Sequence, residues 1–419
     1  MLRALYWLLM LLLLPGMLLR VNLGGSGLLP ADLLLPLYGV LWLGYRALFL
    51  RSVPRARFVL PGLVWLLIGL IGLLLTLWEM PLTEGIMSLA HWWRFLGLLC
   101  VGWSVPDLLT GLPEGRLLRR ILLIVLGVII LGIVQYFLVP DISHWSTVGG
   151  WDPHMGRLLS TWMDPNYIAG MLAFCLPVVC GVLYQARPAL PQWALLGLLG
   201  LGLLALYLTY SRSGYTAAVA GLLLFFVVHD RKWIALTLLA AGLTIVLTPN
   251  LEYSRMYQRV TQLAESVQSL VFQTDDSLDA TASLRVQSWQ ESLQLAEQSP
   301  VVGIGFNTYR YYAVQAGIAD ETNFSAGGSD SSLLNVLITT GVLGLLVYLW
   351  FLATLVLPRL REYFTGRDTL SLGIASGVLA LTLHSFFVNS LFYVFIMLLV
   401  LSLSGYQEAL ASQPRSGVE

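Results

Sequence analysis

The side chains best suited to chemistry in this sequence are arginines and aspartates at the ends of long apolar runs. Arg212 stands in Ser211-Arg212-Ser213-Gly214, a polar interruption between two apolar stretches with almost no connecting loop. A guanidinium beside the exposed N–H groups of a helix start forms a ready site for a phosphate. Arg285 opens Arg285-Val286-Gln287-Ser288-Trp289. Residues four apart share a helix face, so this cation and this aromatic plane could meet a phosphate and a sugar together. The alternative there is a solvated face with one buried tryptophan. Arg157 and Asp164 bracket the run that ends Asp164-Pro165-Asn166, where Asp164 or Asn166 also fits a helix cap. Arg310 adds a further cation to the same side of the chain. Asp330 follows Gly327-Gly328-Ser329 and opens an apolar run. It could cap that helix or act as general base for a hydroxyl. Arg94, in His91-Trp92-Trp93-Arg94, lies about two turns inside an apolar stretch. It either snorkels to the interface beside two tryptophans or faces a cavity that binds an anion.

Other familiar chemistries are missing from the sequence. There is no Gly-rich phosphate loop with lysine, no His-Glu-x-x-His, no Gly-x-Ser-x-Gly and no Asp-x-Asp pair. His91, His144 and His154 are scattered, and Cys100, Cys175 and Cys180 all fall in apolar runs. The expectation is no metal, no nucleotide cofactor and no disulfide.

The elements that must position these groups are dictated by composition. Of 419 residues, 57% are hydrophobic and 11% charged, with a mean hydropathy of +0.78. A soluble domain carries about 25% charged residues, so a cytosolic enzyme, a secreted domain and a basic nucleic-acid-binding protein are excluded. At about 20 apolar residues per span, the chain reads as one all-α integral membrane domain over residues 1–419. Apolar runs at 4–19, 28–50, 58–78, 86–105, 117–139, 166–185, 190–210, 213–229, 232–248, 331–357, 369–388 and 390–407 predict about 12 transmembrane helices. The first lacks a cleavage site before Arg20 and is expected to remain as a span.

Two connections are long. Residues 140–165 form a loop rich in Trp, Asp, Gly and Pro, and residues 249–330 hold most of the chain's polar character. In the second, Met256, Tyr257, Val260, Leu263, Ala264, Val267, Leu270 and Val271 follow the pattern of an amphipathic helix, which Asp275, Asp276 and Asp279 end. A second helix is expected over 282–298, before Pro300. Such helices could lie along the interface and roof a cavity. Cytoplasmic termini put 15 cations inside and 7 outside, which obeys the positive-inside rule and turns both long loops outward. The formal net charge of zero is then a cancellation between a basic inner and an acidic outer face.

With these residues in place, the chain resembles the superfamily of O-antigen ligases and O-antigen polymerases, bacterial membrane glycosyltransferases. The resemblance rests on Arg157 through Asp164-Pro165-Asn166, on Ser211-Arg212-Ser213-Gly214, and on Arg285 with Trp289. It continues through Gly303-Ile304-Gly305-Phe306 and from Asp330-Ser331-Ser332-Leu333-Leu334 to Gly341-Val342-Leu343-Gly344. It implies a GT-C-like fold with the large outer loop between spans 9 and 10. The implied donor is an undecaprenyl-diphosphate-linked oligosaccharide at the outer leaflet of the inner membrane. Membrane lipids, a flippase and chain-length regulators would be its partners, with no nucleic acid. Ligases of the family carry His-Asn eleven residues before the Gly-x-x-Gly; here Asp330-Ser331 fills that slot, as in the polymerase branch. The resemblance thus implies Arg212 and Arg285 on the diphosphate and Asp330 as proton acceptor. Arg94, Arg157, Asp164, Trp289 and Arg310 would support substrate binding. A ligase differs only in its acceptor. A flippase for lipid-linked sugars would use the same arginines, but no paired Gly/Pro-broken spans occur in matching halves. A structural scaffold would leave the outer arginines at short loops unexplained.

Overall fold

A computed structural model describes residues 1–23, 26–113, 115–143, 154–234, 280–318 and 328–412. The described chain is almost wholly helical, as expected of an all-α integral membrane protein. Its helices are α1 (Leu2–Leu11), α2 (Pro30–Tyr45), α3 (Val59–Thr76), α4 (Leu82–Trp103), α5 (Val105–Leu109), α6 (Arg116–Leu138) and α7 (Pro165–Leu183). They continue with α8 (Gln192–Thr209), α9 (Arg212–His229), α10 (Ala280–Gln298), α11 (Tyr309–Gln315), α12 (Ser332–Gly366), α13 (Thr369–His384) and α14 (Val394–Ala411). Among the described residues, 8 helices are long and apolar enough to cross a membrane, against the twelve spans expected. Leu2–Leu11 and Thr369–His384 are apolar but shorter. The first predicted span is cut short because Pro15 and Gly16, the latter at φ +52°, interrupt the helix before a 3₁₀ turn at Gly16–Leu19. Most of the predicted span at 232–248 and the predicted helix over 256–271 lie outside the described residues, and the helix expected at 282–298 is α10. One element was not expected: an antiparallel ribbon of β1 (Val21–Leu23) and β2 (Ser26–Leu28).

The bundle is built around α7 and α14, whose spanning windows are 83% and 89% buried. Small residues let helices meet backbone to backbone, as in lipid-embedded bundles. A Cβ on Gly181 of α7 would fall 2.5 Å from the Thr369 carbonyl oxygen, and one on Gly373 of α13 would fall 2.6 Å from that of Pro177.

The longest helix, α12, is broken by design of its sequence. At Gly341 the backbone turns to φ 66°, ψ −173°, a region that only glycine adopts readily. The break leaves the carbonyls of Ile338 and Thr339 and the N–H groups of Val342 and Leu343 without their helical partners. The 300–305 segment inserts into the gap and satisfies all four. Ile304 N–H donates to Ile338 at 2.9 Å and Gly305 N–H to Thr339 at 3.2 Å. In return, Val342 N–H donates to Pro300 at 2.9 Å and Leu343 N–H to Val301 at 3.3 Å. Non-helical backbone is tolerated inside a membrane bundle only when its polar groups are met in this way. The motifs Gly303-Ile304-Gly305 and Gly341-Val342-Leu343-Gly344 are therefore halves of one lock. Behind it Phe306 enters an aromatic group, with ring centroids 5.5 Å from Trp65 and 5.9 Å from Phe95.

The opposite end of the bundle is held by ion pairs. Arg46 meets Asp107 at 2.8 Å. Arg359, fully buried, donates to the carbonyls of Thr354 and Ser404 at 2.9 Å each and lies 3.5 Å from Glu408. Removing one partner of a buried pair strands the other charge, at a cost of about 3 kcal/mol. Glu408→Ala is therefore expected to lower the melting temperature of the purified protein, read by tryptophan fluorescence; an unchanged transition would refute the contribution of the pair.

Candidate active site

Most of the residues singled out in the sequence gather at the end of the bundle where α7, α9, α12 and α14 begin. Each start is shaped by a local cap. The Asp164 carboxylate caps α7, accepting from Asn166 N–H at 2.6 Å and Tyr167 N–H at 3.4 Å, with Pro165 as first helical residue. Ser211 caps α9 by accepting from Gly214 N–H at 3.3 Å. Ser331, not Asp330, caps α12 by accepting from Leu334 N–H at 3.4 Å. Asp330 itself is exposed.

Asn166 is not a cap but a tie. Its side-chain oxygen accepts from the Ser211 hydroxyl at 2.9 Å, which sets the N-termini of α7 and α9 side by side. Arg212, the first residue of α9, is buried at this junction with 8% exposure. Two helix N-termini and a buried guanidinium make a strongly anion-attracting corner. Arg157 braces it from behind. Its Nε donates to the Thr209 carbonyl at 2.8 Å and a terminal nitrogen to that of Tyr210 at 3.4 Å, at the C-terminus of α8.

Arg285, half-buried on α10, reaches the same corner electrostatically. Burial pushes the Asp164 carboxyl up from its ordinary value, against the Asn166 N–H and the charges of Arg157 and Arg285, which pull it down. The Arg285 charge also acts on His384, at the end of α13. Trp289, one turn on from Arg285, lays its ring 6.1 Å from that of Phe387, so α10 packs over the α13–α14 connection. That connection carries the Asp330 segment as well: Ser332 N–H donates to the Ser385 carbonyl at 2.8 Å, and the Ser331 hydroxyl to the same oxygen at 3.3 Å. The Asp330 charge is felt at Tyr309, the residue before Arg310 on α11. Tyr311 and Tyr312 anchor α11 to Glu79, Tyr312 at 2.8 Å.

The structure thus joins Arg157, Asp164, Arg212 and Arg285 at one corner and brings the Asp330 segment to the loop beside it. Arg94 is not part of that corner. Its guanidinium pairs with the buried Asp32 at 2.9 Å, so its charge is largely answered within the protein. His384 is the residue sequence reasoning passed over. It is fully buried, its Nδ1 lies 2.7 Å from the Ser390 hydroxyl, and its Nε2 has no partner among the described residues. A histidine closing an otherwise uncharged apolar run was the available signal. Among the described residues no three His, Cys, Asp or Glu side chains gather as metal ligands. The arrangement can hold an anionic headgroup between guanidinium groups and helix N-termini, with a carboxylate nearby to take a proton.

A search among curated proteins finds no match. Residues 196–349, from α8 into α12, match the family model described as O-antigen ligase. That match, over the stretch that carries Arg212, Arg285 and Asp330, supports a relationship between this multi-pass membrane protein and the O-antigen ligase and polymerase superfamily.

Proposed function

We propose that the protein is a polysaccharide polymerase that joins repeat units carried on undecaprenyl diphosphate at the periplasmic face of a bacterial inner membrane. The observation that carries this reading is the corner where the N-termini of α7 and α9 meet buried Arg212, with Arg285 acting on the same Asp164 carboxyl. A lipid diphosphate is an activated leaving group, so neither a nucleotide nor a metal is required. The acceptor hydroxyl attacks the anomeric carbon and the bond from that carbon to the diphosphate oxygen breaks. Arg212 and Arg285 stabilise the charge that builds on the departing diphosphate. Asp330, exposed at the start of α12, accepts the hydroxyl proton. The acidic residue in this slot favours growth of a lipid-linked chain over transfer to a lipid or protein acceptor.

Reconstitution with an undecaprenyl-diphosphate-linked oligosaccharide, without nucleotide or metal, tests the reading. A ladder of longer lipid-linked chains is expected. Transfer to lipid A core or to protein would make the chain a ligase, and movement across the bilayer without a new glycosidic bond would sink the enzyme. Asp330→Asn is expected to slow transfer by roughly 10²–10⁴-fold with the protein still folded. Full activity would remove Asp330 from the role of base.

A further inference from the structure

Beside the corner, α4, the start of α12 and the α13–α14 connection line a half-open cavity of about 170 Å³. Asn307, Asn335 and Asn389 line it, together with Arg94 and the rings of Phe306 and Phe392. The 300–305 lock sets the depth of Phe306 and Asn307, and Asn335 comes from the first turn of α12. Asn335 is 92% buried, since its exposure is 8%. Its side-chain oxygen, that of Asn389 and Nε of Arg94 are buried without a hydrogen-bond partner among the described residues. Buried polar atoms are ordinarily satisfied, so three around one cavity point to a ligand that satisfies them.

The chemistry of that ligand can be read from the lining. Carboxamides both donate and accept, which suits hydroxyl groups. Arg94 is already paired with Asp32 at 2.9 Å, so the cavity does not select for an anion. Phe306 and Phe392 offer flat apolar surfaces, which suit the C–H face of a sugar ring. The volume equals about five or six waters at roughly 30 Å³ each, the scale of one ring and far below that of an oligosaccharide. The chain leading to Asp330 also runs over this cavity. A Cβ on Gly328 would lie 3.2 Å from Nδ2 of Asn389 and 3.5 Å from Oδ1 of Asn335. The glycine lets the backbone pass directly across both carboxamides, two residues before the carboxylate.

We propose that this cavity seats a single uncharged sugar ring, the terminal residue of the acceptor glycan, and that Asn335 and Asn389 read its hydroxyl groups. The proposal rests on the glycan-transfer reading and gives the acceptor its own subsite, apart from the arginine corner. It makes the carboxamides specificity determinants, with no part in bond making.

The test uses the full-length protein in lipid nanodiscs and the methyl glycosides of glucose, galactose, mannose and N-acetylglucosamine as probes, followed by saturation-transfer NMR. At least one glycoside is expected to bind. Asn335→Leu and Asn389→Leu, similar in volume, should each weaken it roughly tenfold, while Arg212→Ala leaves it unchanged. If a leucine variant does not fold, Asn389→Asp keeps the shape and should still alter the order of preference among the four sugars. In the transfer assay the same variants should raise the acceptor KM and leave the donor KM alone. Absence of binding by all four glycosides, or wild-type binding by the asparagine variants, overturns the proposal. Glycoside binding needs no turnover, so a protein that binds sugar yet forms no glycosidic bond fails the transfer reading alone. One that elongates glycans with unaltered acceptor KM in both variants fails the subsite alone.

Discussion

Alanine at Gly341 is expected to abolish glycan transfer and to lower the melting temperature of the purified protein. The backbone at Gly341, φ 66° and ψ −173°, lies in a region closed to residues with a Cβ. The added atom would also fall 2.2 Å from the Val301 carbonyl oxygen. Helix α12 would have to re-form through the break and expel the 300–305 segment, or keep the break under strain. Either path strands backbone groups that the lock satisfies, at about 1–3 kcal/mol for each buried group, with strain of about 1–3 kcal/mol besides. Gly303 is the mirror case, since a Cβ there would lie 2.4 Å from the Thr339 carbonyl carbon. Gly197→Ala is the control: no atom stands within 4 Å of its would-be Cβ, and its stability should hold within about 0.5 kcal/mol. Tryptophan fluorescence on heating, with the transfer assay, reads all three. A Gly341→Ala protein that melts and transfers like the wild type would show that the lock positions nothing.

Arg212→Ala and Arg285→Ala should each reduce transfer by roughly 10²–10³-fold or more, with the protein still folded and its helical content close to that of the parent. Arg285→Lys should recover little, because a lysine cannot make the paired contacts of a planar guanidinium with diphosphate oxygens. Full activity of Arg285→Lys would reduce the role of Arg285 to that of a simple charge. Arg157 has a bracing role as well. Its guanidinium serves the carbonyls of Thr209 and Tyr210, so Arg157→Ala should lose stability and activity together. Circular dichroism on the same samples separates the two behaviours.

The apolar runs at 28–50, 58–78, 117–139, 166–185, 190–210 and 213–229 became helices because twenty-residue hydropathy is a local property. The arginine corner was legible for a similar reason: a cation at a short polar break is conspicuous against an apolar background. Helix α13 ended at His384 rather than at 388 because its last turn gives way to the hydrogen-bonded loop that holds Ser331 and Ser332. What was not legible depends on pairing between distant segments. Gly303 and Gly341 stood out only as members of short motifs, Gly341 inside the run at 331–357, and nothing within a local window says that Leu343 N–H donates to the Val301 carbonyl. Arg94 shows the same limit, since its partner Asp32 lies 62 positions away. Asn335 and Asn389 were visible as polar residues in apolar surroundings, yet only the fold puts them around one cavity.

The pairing of Asp32 with Arg94, and of Arg46 with Asp107, bears on how the chain is made. Synthesis is vectorial, and a lone charge inside the bilayer obstructs insertion. Asp32 sits on α2 and Arg46 directly after it, Arg94 on α4 and Asp107 on the short α5 that follows it. All four charges are therefore available for mutual neutralisation before α6 leaves the ribosome. The first hundred or so residues can settle in the bilayer as a unit whose internal charges already cancel. Arg212 and Arg285 emerge later, into a membrane where that unit is already waiting.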